Sequence, residues 1–539
     1  MMARTLNVPR FSRRPTIAGQ YVTWIRIALI TVSLGVLLFL QAMNFSLLTT
    51  TQSAIADDLD AYAEASWFTS AYLIAMSSTT PLAGRLSQIF SARTCMFIST
   101  LIFAFGTFIS AVAPALGMFL VGRAITGIGA AGLFSVSMIL VLELTNGKQR
   151  GLYVGLVNSG YTVGVAFGAV IAGALAPRIG WRAVFWIQSP IALVMGVCIF
   201  LSIHPSMSSG SPGLNGDRKL SSQLARIDYL GISTLTSSLV LFLASLASPR
   251  ILIIPIVLSV LLLVAFVFVE TRIASEPIIP VSVLKSRGAL LSCLSTLGLM
   301  IARWTVLFYS PVYAIAVRNW NAPSAGSILI PTNGGFALGG LLAGWIHIRR
   351  AGSFYLACLI TFILFPISLF ILSHISTPQA SAWVYLLILF INGLTTGAAL
   401  NYTLAHLLHL TLPSTHFIAT ALLATFRGFA GSFGSAIGGG LFTRTLKLTL
   451  VNEFARRGLR NEDELVRRLL GSPATVGGLV GAEREVAVAG YVQALYTIFI
   501  AGTGLSILMI VIQACTGWTA PEAEGEPIPG EVSGEYEDA

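Results

Sequence analysis

The sequence predicts an all-α polytopic membrane protein of fourteen transmembrane helices. Three observations carry the prediction. Of 539 residues, 55% are hydrophobic and only 10% are charged, with a mean hydropathy of +0.82. A soluble protein carries roughly 25% charged residues. Apolar runs of about 20 residues, enough to cross a bilayer, recur along the whole chain. The positive charges sit unevenly between the runs, as membrane orientation requires.

The predicted spans cover 27–49, 66–86, 94–113, 117–141, 151–175, 182–203, 229–247, 251–269, 288–311, 324–346, 353–374, 382–405, 416–441 and 490–514. With the N-terminus placed in the cytoplasm, the inner tail and inner loops hold seventeen Lys and Arg, and the short outer loops hold four. The outer segment 443–489 holds eight more, but long loops are largely exempt from the positive-inside rule. Both termini are therefore expected in the cytoplasm. The formal net charge of +10 is read as orientation and gives no reason to expect a nucleic-acid partner.

In chain order, residues 1–26 read as a basic cytoplasmic tail, without the short apolar core and cleavage site of a signal peptide. Residues 27–203 form a first six-helix half, and 204–228, rich in Ser and Gly, a cytoplasmic linker. Residues 229–269 form an inserted helix pair. A second six-helix half spans 288–514 and includes the long outer loop 443–489. The tail 515–539 has seven acids and no base in its last 19 residues, the composition of a disordered segment.

Three arginines interrupt apolar runs: Arg123, Arg303 and Arg427. A charge at mid-membrane costs at least ~2.5–3.5 kcal/mol on the insertion scale, so such residues face a cavity or a partner, or snorkel to the interface. No carboxylate stands in the middle of any run. Polar residues that either face a cavity or bond a neighbouring helix are Gln41, Asn44, Asn158, Tyr161, Asn333, Asn392 and Asn401.

Other patterns carry less. Gly127-Ile128-Gly129-Ala130-Ala131-Gly132 matches a dinucleotide fingerprint, but inside one apolar run, where small residues serve close helix contact. His406, His409 and His416 lie at a helix boundary, and no metal site is expected. The five cysteines lie far apart in or beside apolar runs, so neither a disulfide framework nor a zinc site is expected. No cofactor is implied.

Four stretches together resemble the major facilitator superfamily, in particular its fourteen-span drug:proton antiporter branch. Gly84-Arg85-Leu86-Ser87-Gln88, continued to Arg93, is similar to the cytoplasmic loop motif, with Gln88 where the motif has an acid. Gly122-Arg123 through Gly127 and Gly129 is similar to the fourth-helix motif, with Thr126 for the usual glutamine. Gly164 to Gly173 resembles the antiporter motif of the fifth helix, with Ala169 for its proline and Ala172 for a glycine. Ala42-Met43-Asn44 matches a first-helix pattern whose aspartate is here Asn44, which cannot titrate.

The resemblance implies the major facilitator fold: two six-helix halves plus an inserted pair. It implies a coupling or gating role for Arg85, Arg93, Arg123 and Gly127. A substrate cavity would hold Gln41, Asn44, Asn158, Tyr161, Arg303, Asn333, Asn392 and Arg427.

In the second half, Glu276-Pro277 to Pro280, Phe308 to Tyr313, and Ala325-Gly326 with Leu329-Ile330-Pro331 are similar to fungal vacuolar basic amino acid transporters and related efflux pumps. The implied function is secondary active transport of a small organic solute by alternating access, by a monomer in the vacuolar or plasma membrane, with protons as a candidate coupling ion. Basic amino acids would favour a cavity carboxylate. The intramembrane arginines fit a drug-like, toxic or anionic metabolite instead. A non-transporting solute sensor is the reading from another class, and an embedded enzyme has no paired acids or nucleophile to support it.

Overall fold

The computed structural model describes residues 24–144, 150–203, 228–248, 250–273, 286–347, 354–411, 416–458 and 463–518. The side chains of Arg85 and Asn158 lie outside the described set.

Among the described residues the fold is helical throughout. A first set holds α1 (Trp24–Ser46), α2 (Leu48–Asp58), α3 (Ala65–Ile89), α4 (Ala92–Val112), α5 (Leu116–Leu144), α6 (Arg150–Ile179) and α7 (Trp181–Ser202). Next come α8 (Tyr229–Ala247) and α9 (Ile253–Arg272). A second set follows: α10 (Arg287–Val312), α11 (Ala322–Ser327), α12 (Leu329–Leu341), α13 (Tyr355–Ile375), α14 (Ala382–His409), α15 (His416–Arg456), α16 (Asp463–Gly471) and α17 (Gly481–Ala514). The described part of 443–489 is thus mostly helical, and only 457–480 separate α15 from α17. The apolar spacing explains the extension: Leu446, Leu450 and Phe454 recur every fourth residue and are buried.

Twelve described helices are long and apolar enough to cross a bilayer. The expected spans at 66–86 and 416–441 are not among them. They fold as α3 and α15, which meet at the seam between the two sets. Ser70 and Ser435 hydroxyls lie 2.9 Å apart, and the Ser77 hydroxyl donates to Ser432 Oγ at 2.9 Å. A helix that presents polar groups to a partner helix is less apolar all round than one facing lipid.

Small residues set the packing. A Cβ at Gly127 would lie 2.3 Å from Tyr72 O, and one at Gly129 2.4 Å from Phe103 N. Those glycines let α5 lie directly on α3 and α4. Side-chain caps start several helices: Ser91 accepts from Thr94 N, Asp228 from Gly231 N and Asn321 from Ser324 N. Buried hydroxyls such as Thr100 and Ser137 donate to the carbonyl four residues back, which satisfies them without water.

The α8–α9 pair packs on α3 and α15. Thr236 Oγ1 donates to Ser78 O at 3.3 Å, and Arg444 Nη1 donates to Leu246 O and Ser248 O at 3.2 and 3.1 Å. Ile254, Val257, Leu261 and Val264 on α9 are exposed, a face suited to lipid and too large for water.

The two sets also meet at the end of the bundle that carries Asp57 to Glu64. Arg467 of α16 pairs with Asp60 at 2.5 Å, Gln52 Nε2 donates to Gly471 O at 3.1 Å, and Ala474 N donates to Ser53 Oγ at 3.4 Å. Gly471 lies so close to Tyr62 that a Cβ would meet its backbone at 2.4 Å.

Candidate solute site between the two helix sets

Arg123 on α5 is fully buried. Its Nη1 donates to Asn44 Oδ1, its Nη2 to Asn44 O at 3.1 Å, and its Nε to Phe68 O at 2.9 Å. Its guanidinium lies 4.7 Å from the Tyr72 ring centroid and 5.7 Å from that of Phe185. Asn44 Nδ2 donates to Gln188 Oε1 at 2.6 Å, and Gln188 Nε2 donates to Val184 O at 2.9 Å. One polar network therefore links α1, α3, α5 and α7. Among the described residues no carboxylate pairs with Arg123; amide oxygens, carbonyl dipoles and π faces meet its charge.

The second set holds a counterpart. Arg303 on α10 is 2% exposed. Its Nη1 donates to Thr332 Oγ1 and to Asn392 Oδ1, the latter at 3.2 Å, and its Nη2 donates to Thr332 O at 3.2 Å. Asn392 Nδ2 donates to Ser368 Oγ at 2.9 Å. In the first set the arginine stands on the fourth long helix and the asparagine on the first. In the second set they have exchanged helices. Each arginine also reaches a backbone carbonyl on the second long helix of its set, Phe68 O in α3 and Thr332 O in α12.

Arg427 differs from both. It is half-buried on α15, and no described residue forms a hydrogen bond or ion pair with it. Tyr161 of α6, in the other set, lies within electrostatic reach of its guanidinium. Aromatic rings from both sets gather beside this pair. Phe45 of α1 meets Trp304 of α10 edge-on at 4.7 Å, and Tyr161 lies 6.4 Å from Phe45 and 5.8 Å from Phe134. Trp304 stacks with Phe308 at 5.4 Å.

The other expected site residues have separate settings. Gln41 is buried; its Nε2 approaches Met76 Sδ at 3.6 Å and its Oε1 has no partner. Asn333 bonds back to Leu329 O at 2.9 Å in its own helix, and Asn401 likewise to Gly397 O at 3.1 Å. Gly127 serves the contact of α5 with α3. Arg93 stacks over the Phe200 ring at 3.9 Å, joining α4 to α7. His406 donates from Nε2 to Gly517 O at 3.0 Å, and His409 to Trp518 O at 3.3 Å, which ties the turn after α17 to α14. Gln188, Thr332, Ser368 and Trp304 were not singled out from the sequence. Gln188 had a usable signal, an amide inside an apolar run.

The fold and its seam define a helical membrane carrier, and comparison with known proteins gives the family. The Major Facilitator Superfamily profile matches residues 34–439, and the chain belongs to that superfamily. It is a multi-pass membrane transporter and not an enzyme. It is 29% identical to an Acurin A biosynthesis cluster MFS-type transporter of Aspergillus aculeatus, over 83% of this chain and 79% of that one. It is 26% identical to the multidrug resistance protein fnx1 of Schizosaccharomyces pombe, over 85% and 86% of the two chains. It is 25% identical to the vacuolar membrane amino acid uptake transporter fnx2 of the same yeast, over 77% and 72%. A bacterial homolog of the human lysosomal transporter Spinster, in an inward-facing and unoccupied conformation, shares the fold with a TM-score of 0.61. That likeness comes at 12% identity, over 92% of this chain and 97% of that one.

Proposed function

We propose that this chain is a secondary transporter that exports an amphipathic organic solute by alternating access through the seam between its two helix sets. The single observation that carries the reading is the aromatic cluster built from both sets: Phe45 and Tyr161 on one side, Trp304 and Phe308 on the other. A site made from both halves is dismantled when they rock apart, which couples binding to the conformational change. In this reading α3 and α15 cross the membrane with the other twelve helices, for a total of fourteen. The Asp57–Glu64 end faces the exterior or an organelle lumen, and the N-terminus faces the cytoplasm. The protein acts as a monomer.

Similarity to fnx2 supports a second reading, uptake of basic amino acids into a vacuole. The charge of the seam weighs against it, since a cationic side chain would meet Arg427 where it needs a carboxylate. Arg123 and Arg303 are engaged inside their own sets and serve as fixed struts; neither reaches a solute. Neither strut has a described acid to exchange a proton with.

Reconstituted vesicles test the proposal. They should show saturable movement of members of a panel of amphipathic organic solutes and none of lysine or arginine. Saturable lysine or arginine uptake, with no movement of the panel, would establish the second reading in its place.

A further inference from the structure

We infer that the seam binds planar aromatic anions, with Arg427, the Tyr161 hydroxyl and the Trp304 indole N–H as the groups that receive the acid. The inference rests on the transport reading above and adds the charge class of its solute.

Three observations meet at one place. First, Arg427 is a guanidinium inside the bundle with no hydrogen bond or ion pair from any described residue. An uncompensated guanidinium in a low-dielectric setting is costly unless something anionic or water answers it. The two other intramembrane arginines each donate three described hydrogen bonds, so this chain does satisfy such groups where their role is structural.

Second, Trp304 is 7% exposed, and its Nε1 has no partner. An indole nitrogen only donates. The ring lies against Gly431, where a Cβ would come within 3.5 Å of that nitrogen. Gly431 follows Arg427 by one helical turn, so the indole N–H and the guanidinium address neighbouring positions on one face of α15. Third, Tyr161 of α6, in the other set, interacts electrostatically with the guanidinium and brings a hydroxyl to the same region. Two of the three groups only donate, and the third can.

The walls supply the rest of the class. Trp304 stacks with Phe308 at 5.4 Å and meets Phe45 edge-on at 4.7 Å, an aromatic wall that favours a further planar ring system. A carboxylate takes two parallel N–H bonds from a guanidinium, a geometry that an ammonium or a neutral amide does not match. The ligand chemistry is therefore a fused or single aromatic ring bearing a carboxylate or another delocalised oxyanion.

Binding calorimetry on the full chain in lipid nanodiscs tests this, with 2-naphthoate, its neutral amide and 2-naphthylmethylammonium as probes. Wild type should bind naphthoate about 10- to 100-fold more tightly than the amide, and the ammonium not at all. Arg427→Gln should bring the acid-to-amide ratio close to one while leaving amide binding in place. Arg427→Lys should keep part of the preference, and Trp304→Phe should weaken naphthoate while keeping ring stacking.

Equal affinity of wild type for acid and amide would overturn the inference, as would an undiminished preference in Arg427→Gln. If Arg427→Gln does not fold, the wild-type ratio and the Arg427→Lys variant decide the matter. The two levels fail separately. Naphthoate preference without vesicle flux of any solute would sink the transport reading alone. Flux of amphipathic solutes without charge preference would sink the anion site alone.

Discussion

Arg123 and Asn44 are joined twice, through the amide oxygen and through the backbone carbonyl of the same asparagine. Their bond crosses from the fourth long helix of the first set to the first. Asparagine takes no proton there, so the pair is a fixed clamp. The Asn44 side-chain N–H donates to Gln188 Oε1, which extends the clamp to α7.

The clamp gives a first prediction. Asn44→Leu takes the side-chain oxygen from the buried guanidinium while the backbone carbonyl of residue 44 stays, and should lower stability by about 1.5–3 kcal/mol, the usual value of a hydrogen bond to a charged group. Thermal unfolding in nanodiscs reads this. Asn44→Asp should fold, because the carboxylate keeps the acceptor and adds an ion pair. It should also give solute flux a dependence on acidic pH that wild type lacks, measured across a series of internal and external pH values.

The exchanged positions of arginine and asparagine in the two sets give a second prediction. Arg303 and Asn392 form the same contact as Arg123 and Asn44 with the helices reversed. The double variant Arg303→Asn with Asn392→Arg should therefore be more stable than either single variant. A coupling of about 1–3 kcal/mol is expected for residues within one hydrogen-bond network. Additive losses in the thermal-unfolding cycle would show that the reversal is not tolerated.

A third prediction concerns α16. Hydrogen bonds from Arg467 and Arg468 hold the Glu464 carboxyl below the usual carboxylate range, and Arg467 also reaches Asp60 in the first set. A lowered carboxylate pKa favours the folded contact at pH above the unshifted value of 4.5, and the contribution is lost as pH falls through the lowered value. Amide protection at 463–478, taken relative to the intrinsic exchange rate at each pH, should be high at neutral pH and fall in strong acid. Glu464→Gln should exchange faster at neutral pH and show less of the acid step. The pair is solvent-exposed, so the change should be local and global stability unaffected.

The helices were legible from apolar runs because a bilayer imposes one length and one polarity on every span. The glycine-rich stretch around Gly127 was legible as a packing face for the same reason. The spans expected at 66–86 and 416–441, which fold as α3 and α15, are the two that fall short of the other twelve in apolar character. Ser70 and Ser77 of α3, and Ser432 and Ser435 of α15, make them more polar where they touch each other. The helix that carries the expected span 416–441 runs on to Arg456, because Leu446, Leu450 and Phe454 keep a buried spacing among the charged residues from Arg444 onward.

The three arginines were legible as costly groups, but sequence states the cost and not the partner. The motif around Arg123 marks it off from Arg427, but it does not name the groups that meet either charge. Only the fold shows that Asn44 and Phe68 converge on the first, while the second has Tyr161 within electrostatic reach and no bonded partner among the described residues. Gln188 and Ser368 lie 144 and 24 residues from the asparagines they bond, a pairing that no local pattern encodes.

The central claim is that solute passes when α3 and α15 part at the seam, and a reversible cross-link there tests it most directly. Ser77→Cys with Ser432→Cys places two thiols where the hydroxyls are now 2.9 Å apart, in a background with exposed Cys515 replaced by serine. Solute flux would be followed in vesicles before oxidation, after it, and after reduction. The account predicts loss of saturable flux on oxidation and its return on reduction. Full flux through the cross-linked protein would contradict it.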